Sequence, residues 1–353
     1  MENPVRTVLV GLGARGKKWA RVLQDEEQCD VVGFVDLSEE NLEWVRTTYE
    51  TGPEKCYQNM EQALDETKPT LVVLATPPMD RFRQVMSVFE HGSHLLSEKP
   101  LSLDFDEGVR MVKAAEDAKL AFAVGLNLRY QHCVLKARDI LRSRVIGGPR
   151  FGGYTYWRNR DGYSPDLNRF PLSMRQPLLY EQTIHHIDEI RFVYDAEVER
   201  VHSKCWNPPW SMYRDDSTVM ATFEMEGELP VNYFGTWSGH TKIDQFLWRT
   251  DCDDGALFQY EFFEDLRIVR GSEGDTMEQV PLPKQELLVD DTRAMVSQYL
   301  TSLSDGDLAP EPNAKEHLKT FGIIAACEES NKTGQTVEMA EFFQKHNVPQ
   351  DWF

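Results

Sequence analysis

The 353-residue sequence has little basic charge, no long apolar run and no closely paired cysteines. Its 38 lysine and arginine residues stand against 58 aspartate and glutamate residues, which gives a formal net charge of −20. Nucleic acid and anionic membrane surfaces both require a basic footprint, so we expect neither as a partner. The N-terminus has no basic segment followed by an apolar one, and no apolar run approaches the ~18 residues that span a bilayer. The six cysteines are scattered without a Cys-x-x-Cys pair, and we expect reduced thiols in a cytoplasmic protein.

The apolar content indicates a globular protein, and the length indicates two domains. Hydrophobic residues make up 41% and aromatic residues 11% of the chain, which suits packed cores. Up to residue 125, buried strand patterns alternate with helical patterns, which predicts an α/β fold with a Rossmann-type, doubly wound parallel sheet. From residue 126 onwards, a run of alternating strand patterns predicts an α/β domain with a large, mostly antiparallel open sheet. We expect domains over 1–125 and 126–353, with closing helices that are able to pack back on the first domain.

The segment GLGARG (11–16) matches G-x-G-x-x-G and follows a predicted strand. In that context Gly11 allows a tight turn, Gly13 lets the backbone approach a pyrophosphate, and Gly16 lets the next helix pack closely. Asp36 lies 20 residues beyond Gly16, at the end of the second predicted strand. Its carboxylate would accept hydrogen bonds from ribose hydroxyls and repel a 2′-phosphate. The pattern predicts an NAD site, with NADP less favoured; the alternative is an ordinary glycine turn with an incidental aspartate.

The stretch LLYEQTIHHIDEI (178–190) has the pattern of a helix and is rich in titratable side chains. Glu181, His185 and Asp188 are spaced i, i+4, i+7, which places them on one helix face. This spacing alone is compatible with a metal site, a proton-transfer site or a plain polar face. A catalytic metal needs further converging ligands and none stands out elsewhere, so we expect no metal. His186 lies about 100° around the helix from His185 and is expected to pack or to support the site.

Four segments, in the same order along the chain, resemble motifs of the Gfo/Idh/MocA oxidoreductases, the group of glucose-fructose oxidoreductase and inositol dehydrogenase. They are LATPP (74–78), LLSEKPLS (95–102), GLNLRYQH (125–132) and the closing segment 316–339. The resemblance covers nearly the whole chain. It implies a nucleotide-binding domain and a second domain whose open sheet builds a homodimer or homotetramer. It also implies hydride transfer between NAD(P) and a hydroxyl-bearing carbon of a small-molecule sugar, cyclic polyol or glycoside.

The resemblance also implies roles for individual residues. Lys99 matches the family's lysine near the nicotinamide and the substrate hydroxyl, and His185 matches a histidine on a helix of the second domain. Glu181 stands where the family has an aspartate, a departure that keeps the carboxylate but lengthens its reach by one methylene. Because histidine ordinarily titrates near neutral pH, His185 suits the role of general base. Lys99 is the second candidate, since it can hydrogen-bond the reacting oxygen or relay its proton. We expect Lys99, His185 and Glu181 to be the catalytic residues.

The other site predictions concern the cofactor and the substrate. Cofactor-binding residues are expected at the glycine segment and at strand ends: Gly11, Gly13, Ala14, Arg15, Gly16, Asp36, Thr76, Pro77, Glu98, Lys99 and Asn127. Substrate-binding residues are expected to be Lys99, Arg129, Trp157, Arg158, Tyr163, Glu181 and His185. Aromatic faces suit the CH faces of sugars, and arginine side chains suit hydroxyls or a carboxylate.

Three functions are compatible with this sequence. The first, which we favour, is an NAD-dependent dehydrogenase acting on a secondary hydroxyl of a sugar, cyclic polyol or glycoside. The second is an enzyme that retains NAD and uses transient oxidation to drive elimination or glycoside cleavage. The third is a non-catalytic NAD-binding regulator, which the presence of both Lys99 and His185 disfavours.

Overall fold

The computed structural model describes residues 4–165, 167–271, 274–309 and 311–352. These residues form two compact units. The first contains the described residues up to Asn127 together with Glu286–Leu318, and the second contains Leu128–Gln285 together with the described residues from Lys319 onwards. Within these ranges, no helix has both the length and the apolar composition needed to cross a membrane.

Helices and strands alternate in the first unit, whereas strands predominate in the second. The helices, in chain order, are α1 (Ala14–Asp25), α2 (Glu39–Tyr49), α3 (Met60–Thr67), α4 (Arg81–Glu90), α5 (Phe105–Ala118), α6 (His132–Arg142), α7 (Ile184–Tyr194), α8 (Asp290–Ser304), α9 (Ala314–Thr333) and α10 (Met339–Lys345). The strands are β1 (Val5–Val10), β2 (Cys29–Val35), β3 (Cys56–Tyr57), β4 (Leu71–Leu74), β5 (His94–Ser97), β6 (Phe122–Val124), β7 (Pro149–Trp157), β8 (Val198–Trp206), β9 (Thr218–Met225), β10 (Leu229–Thr236), β11 (Gln245–Cys252), β12 (Gly255–Tyr260), β13 (Asp265–Arg270), β14 (Glu278–Val280) and β15 (Val337–Glu338).

The first unit contains a sheet of six strands in the order β3-β2-β1-β4-β5-β6. Every adjacent pair of strands is parallel. This is the strand order of a Rossmann fold, and it confirms the predicted doubly wound sheet. All four residues of β4 are buried, as expected for a strand covered by helices on both faces. The carboxyl ends of the parallel strands meet at one edge of the sheet, where ligands of such folds bind.

Short polar side chains begin several helices of the first unit. The side chain of Ser38 accepts a hydrogen bond from a backbone N–H in the first turn of α2, and Asn59 and Asp104 do the same for α3 and α5. These caps satisfy N–H groups that have no partner within the helix. Helix α1 differs, because its N-cap residue is Gly13, which has no side chain to accept such a bond.

The described part of the second unit contains a sheet of nine strands in the order β14-β13-β12-β11-β7-β10-β9-β8-β15. Strands β7 and β10 are parallel neighbours, and the other adjacent pairs are antiparallel. The prediction of a large, mostly antiparallel sheet is therefore confirmed. The sequence did not predict β14 and β15, since two or three residues carry too little periodicity to be recognised.

Three predicted elements differ from the structure. The apolar run TLVVLATPP (70–78) predicts one strand, but the strand ends at Leu74, ahead of two prolines that cannot donate to a strand ladder. The apolar pattern of LAFAVGLNLRY (120–130) also predicts one strand, but the strand covers only Phe122–Val124, and a short 3-10 turn follows at Asn127–Tyr130. The helix predicted over 178–190 contains a π-helical turn at Leu179–Thr183 before α7 begins.

Candidate active site

Two glycines of the GLGARG segment are required by the turn that joins β1 to α1. Gly11 has φ +94°, and a Cβ built on it would lie 2.8 Å from the carbonyl oxygen of Ala75. A Cβ on Gly16 would lie 2.0 Å from the carbonyl oxygen of Gly11. Both positions therefore exclude any larger residue, which fits the predicted tight turn and close helix packing.

The third glycine has a different role, because the space beside it is open. A Cβ on Gly13 would meet nothing within 4 Å among the described residues. The first N–H groups of α1 lie next to this space, and a helix N-terminus favours an anion there. This open cradle fits the pyrophosphate of NAD, which the glycine segment and Ala14, the first residue of α1, would hold.

Asp36 follows β2, and three hydrogen bonds fix its carboxylate. Oδ2 accepts from the backbone N–H of Leu12 at 2.6 Å, while Oδ1 accepts from the N–H of Ser38 at 2.8 Å and from Nδ2 of Asn41 at 3.2 Å. A carboxylate held beside the glycine segment is placed to accept hydrogen bonds from ribose hydroxyls and to repel a 2′-phosphate. The arrangement fits NAD.

Arg15 and Glu98 bind one another in the first unit. Nε of Arg15 lies 2.6 Å from Oε1 of Glu98, and the indole N–H of Trp19 donates to the same oxygen at 2.7 Å. Burial alone would raise the pKa of the Glu98 carboxyl, but the charges of Arg15 and Lys99 and the hydrogen bonds outweigh burial and lower the pKa. This pairing favours a bracing role for both residues over the direct cofactor contacts that the sequence suggested.

The remaining predicted cofactor residues follow neighbouring parallel strands, so they share the carboxyl edge of the sheet. Thr76 and Pro77 follow β4, the half-buried Lys99 follows β5, and the buried Asn127 follows β6. The hydroxyl of Thr76 donates to Oε1 of Gln84 at 2.6 Å. The first unit therefore brings the predicted cofactor residues to one edge.

In the second unit, Glu181 and His185 lie on either side of a change in helical geometry. Glu181 is half-buried within the π-helical turn, and His185 is buried in the first turn of α7. A π-turn contains one more residue than an α-turn and is frequent at functional sites. The prediction of a regular α-helix over 178–190 is therefore wrong at this turn, and Glu181 and His185 lie four residues apart across the change from π-helix to α-helix.

Asp188, the third residue of the predicted face, forms an ion pair with Arg129. Its Oδ2 lies 2.5 Å from Nε of Arg129 and its Oδ1 lies 2.6 Å from Nη2, and both side chains are buried. The hydroxyl of Thr320 also donates to Oδ1 at 3.3 Å. Arg129 was predicted to bind substrate, but this bidentate contact favours a structural role in holding α7. Among the described residues, no group of three or more His, Cys, Asp or Glu side chains is arranged to hold a metal ion.

Trp157 lies on the face of the sheet opposite to α7. Tyr154 and Tyr156 of β7 face the helix, and each ring centroid is 4.7 Å from that of His186. Because successive side chains of a strand point to opposite faces, Trp157 points away and stacks on Phe234 at 4.7 Å. The structure therefore does not bring Trp157, predicted to bind substrate, to the side of the sheet that carries His185.

Two other predicted substrate residues lie beyond the end of β7. Arg158 interacts with the hydroxyl of Tyr156 and forms an ion pair with Asp244, with Nε 3.6 Å from Oδ2. It therefore remains a candidate on the side of the sheet that carries α7. Tyr163 is 58% exposed in the following loop, and its backbone N–H donates to Asp161 at 2.9 Å.

Two family models match the chain. One, described as "Oxidoreductase family, NAD-binding Rossmann fold", matches residues 5–126. The other, described as "GFO/IDH/MocA C-terminal domain", matches residues 134–257. The chain belongs to the Gfo/Idh/MocA oxidoreductase family. The predicted family, its NAD cofactor and its class as an oxidoreductase are therefore confirmed.

Known relatives and solved structures are similar to this Gfo/Idh/MocA oxidoreductase over nearly its full length. A D-apiose dehydrogenase of Paraburkholderia graminis is 22% identical over 94% of this chain and 88% of its own. The crystal structure of an oxidoreductase from Agrobacterium radiobacter, in complex with NAD+, L-tartaric acid and magnesium, matches with a TM-score of 0.87 at 17% identity, over 96% of this chain and 99% of that chain. The crystal structure of an inositol dehydrogenase homolog from Azotobacter vinelandii, complexed with NADH and myo-inositol, matches with a TM-score of 0.81 at 15% identity. The match covers 95% of this chain and 98% of that chain. At these identities the structural likeness shows a shared fold.

Arg81, which was not among the predicted site residues of this Gfo/Idh/MocA oxidoreductase, joins the ends of two strands of the first unit. Arg81 is 1% exposed, and its guanidinium donates to the hydroxyl of Ser97 at 2.7 Å and to the backbone carbonyls of Thr76 and Glu98. These bonds tie the segment after β4 to the segment after β5, which carries Lys99. An arginine that follows Pro-Pro-Met-Asp resembles any surface arginine at a helix start, so the sequence offered no signal for it.

Proposed function

We propose that this oxidoreductase is an NAD-dependent dehydrogenase that oxidises a secondary hydroxyl of a sugar, cyclic polyol or glycoside, or reduces the matching ketone. Its main support is the fixed position of Lys99 at the carboxyl edge of the NAD-binding sheet. The preceding residue, Glu98, is held by Arg15 and Trp19, and the backbone carbonyl of Glu98 accepts from Arg81. A lysine on so rigid a segment is suited to contact a reacting oxygen repeatedly in one geometry.

Each catalytic residue has a defined part in this proposal. The glycine segment and Asp36 would hold NAD, which would supply the hydride acceptor for the oxidised carbon. His185 removes the proton from the substrate hydroxyl, because histidine is a base near neutral pH. The ammonium of Lys99 donates a hydrogen bond to the same oxygen and stabilises negative charge that develops there. Glu181 accepts a hydrogen bond from a neighbouring substrate hydroxyl. Its extra methylene lets the carboxylate reach further than that of an aspartate.

A substrate screen tests the proposal. The full chain is incubated with NAD and a panel of sugars, inositols, uronic acids and glycosides, and NADH absorbance and keto products are measured. The dehydrogenase produces NADH and a ketone in equal amounts. Bond cleavage without net NADH would support transient oxidation instead, and neither product with any compound would contradict the proposal.

We also propose that the chain forms a homodimer or homotetramer through the sheet of the second unit. The face opposite to α7 carries Phe151, Trp157 and Met220, which are 53%, 42% and 53% exposed. Large exposed apolar patches of this kind mark interaction surfaces. Light scattering of Trp157→Glu should show a smaller assembly than wild type, whereas Leu308→Glu, a change at an exposed leucine of the first unit, should not. An unchanged mass for Trp157→Glu would contradict the proposal.

A further inference from the structure

The π-helical turn Leu179–Thr183 is tethered to the second-unit sheet by polar side chains. Oε1 of Gln182 accepts from the hydroxyl of Tyr156 at 3.4 Å. The hydroxyl of Thr183 lies 2.9 Å from that of Tyr233. These residues flank the two proposed catalytic residues of the second unit, because Glu181 precedes Gln182 and His185 follows two residues after Thr183.

His186 completes this set of tethers. Its Nε2 lies 2.9 Å from Nε2 of Gln182, and its Nδ1 lies 2.9 Å from the hydroxyl of Tyr233. The ring is fully buried, and Tyr154 and Tyr156 pack against it with ring centroids at 4.7 Å. A ring so enclosed cannot turn without disrupting the helix–sheet interface, so it fixes the groups that it binds.

The hydrogen bonds among these groups have one consistent direction. Since Oε1 of Gln182 accepts from Tyr156, the amide nitrogen faces His186 and donates to Nε2. The proton of the neutral imidazole is then on Nδ1 and donates to the Tyr233 oxygen, which in turn donates to Thr183. Burial lowers the pKa of His186 to about 3, which keeps the ring neutral at physiological pH and preserves this direction.

We propose that His186 is a positioning residue: through Gln182 and Tyr233 it holds the π-helical turn so that Glu181 and His185 keep the geometry that turnover requires. The effect on turnover depends on the function proposed above, whereas the tether itself does not. This dependence allows the two to be tested separately. The π-turn supplies one residue more than an α-turn, and an unusual turn persists only where its surroundings hold it.

The first measurement tests, without any substrate, whether His186 and Gln182 stabilise the π-helical turn. Hydrogen exchange of backbone amides is compared between wild type, His186→Phe and Gln182→Leu. His186→Phe keeps an aromatic ring but removes both bonds, and amides of 179–183 should exchange about tenfold faster or more. Gln182 is only half-buried, so Gln182→Leu keeps the test usable if the buried substitution prevents folding. Tyr194→Phe is the matched control, because it removes a buried hydroxyl at the other end of α7, where Tyr194 lies 2.8 Å from the hydroxyl of Thr250.

The second measurement follows catalysis with the substrate found in the screen. His186→Phe and Gln182→Leu should each lower kcat about ten- to hundredfold while the Kd for NAD stays unchanged, since misplacement of catalytic groups by about 1 Å has effects up to this order. The double variant should lose less than the two single losses combined, because both changes remove the same Gln182–His186 bond, while each also removes one further bond. His186→Gln, whose amide can both accept and donate, should recover part of the loss.

The outcomes separate the two proposals. Faster exchange in 179–183 with lowered kcat supports the positioning role. Unchanged exchange in His186→Phe and Gln182→Leu overturns it, and so does faster exchange with unchanged kcat. If the wild type oxidises no compound, the dehydrogenase proposal fails, and the exchange result alone decides whether His186 holds the turn.

Discussion

Arg129 binds both carboxylate oxygens of Asp188 through Nε and Nη2, at 2.5 and 2.6 Å, and both side chains are buried. Arg129 lies in the turn that follows β6, whereas Asp188 lies in α7, directly after the helix turn that carries His185. A buried ion pair contributes modest net stability, but removal of one partner leaves an uncompensated charge away from water. The pair therefore makes the position of α7 sensitive to either residue.

Asp188→Asn should lower the free energy of unfolding by about 3–5 kcal/mol, because it leaves the Arg129 guanidinium buried beside a neutral group. Urea denaturation of the full chain measures this loss. The matched control is Glu224→Gln, which breaks the half-exposed ion pair with Arg200 and should cost about 0–1 kcal/mol. Equal losses in the two variants would contradict a special role for the buried pair.

Glu189 should make the protein less stable as the pH rises. Burial raises the pKa of its carboxyl well above the ordinary value, with one hydrogen bond from Tyr154 at 3.1 Å. The unfolded chain releases this proton near pH ~4.3, while the folded chain retains it, so the contribution to stability falls from that pH upwards. Glu189→Gln removes this titration and should raise the free energy of unfolding at neutral pH.

Urea denaturation of wild type and Glu189→Gln over a pH series checks this sign. Glu98→Gln provides a control of opposite sign, because the Glu98 carboxyl has a lowered pKa despite its burial. The stability that Glu98 contributes is present above the unfolded pKa of ~4.3 and is lost as the pH falls through the folded pKa. If wild type and Glu189→Gln have the same dependence of unfolding free energy on pH, the Glu189 carboxyl ionises in the folded protein, and the prediction is contradicted.

Substitution by alanine should have different effects at Gly13 and at Gly16: it should weaken NAD binding at Gly13 and lower stability at Gly16. Gly13→Ala places a methyl group in open space, so stability should stay within about 0.5 kcal/mol while NAD binding weakens about tenfold or more. Gly16→Ala places a methyl group 2.0 Å from the Gly11 carbonyl oxygen and should lower stability by about 1–3 kcal/mol. Calorimetric NAD titration and thermal denaturation measure both effects. Undiminished NAD binding by Gly13→Ala would place the pyrophosphate elsewhere.

The cofactor-binding residues of the first unit could be predicted from the sequence, because they lie close together in the chain. The glycine segment and Asp36 sit at fixed positions in a β-α-β unit, and motif spacing reports those positions directly. The bracing of Glu98 by Arg15 crosses 83 residues of chain, and the burial of Arg81 depends on loops after two different strands. A single sequence has no signal for such distant pairs.

The proposed substrate-binding residues of the second unit were predicted less well, because the helix that carries them departs from regular α-helical geometry. The spacing of Glu181 and His185 indicates an α-helix, but the inserted residue of a π-turn leaves no mark in the hydrophobic period. The side of the sheet on which Trp157 lies follows from the alternation of β7, because Tyr154 and Tyr156 occupy the helix-facing positions. His186 was expected to pack or support, and its burial and two hydrogen bonds confirm this.

The most direct test of the central claim is single-turnover NADH formation by wild type and Lys99→Ala, with the best compound from the screen and with NAD binding measured on the same samples. The account predicts that Lys99→Ala binds NAD as wild type does but forms NADH at least about a hundredfold more slowly, since removal of one group that stabilises charge in the transition state costs this much. Wild-type rates in Lys99→Ala would contradict the assigned chemistry.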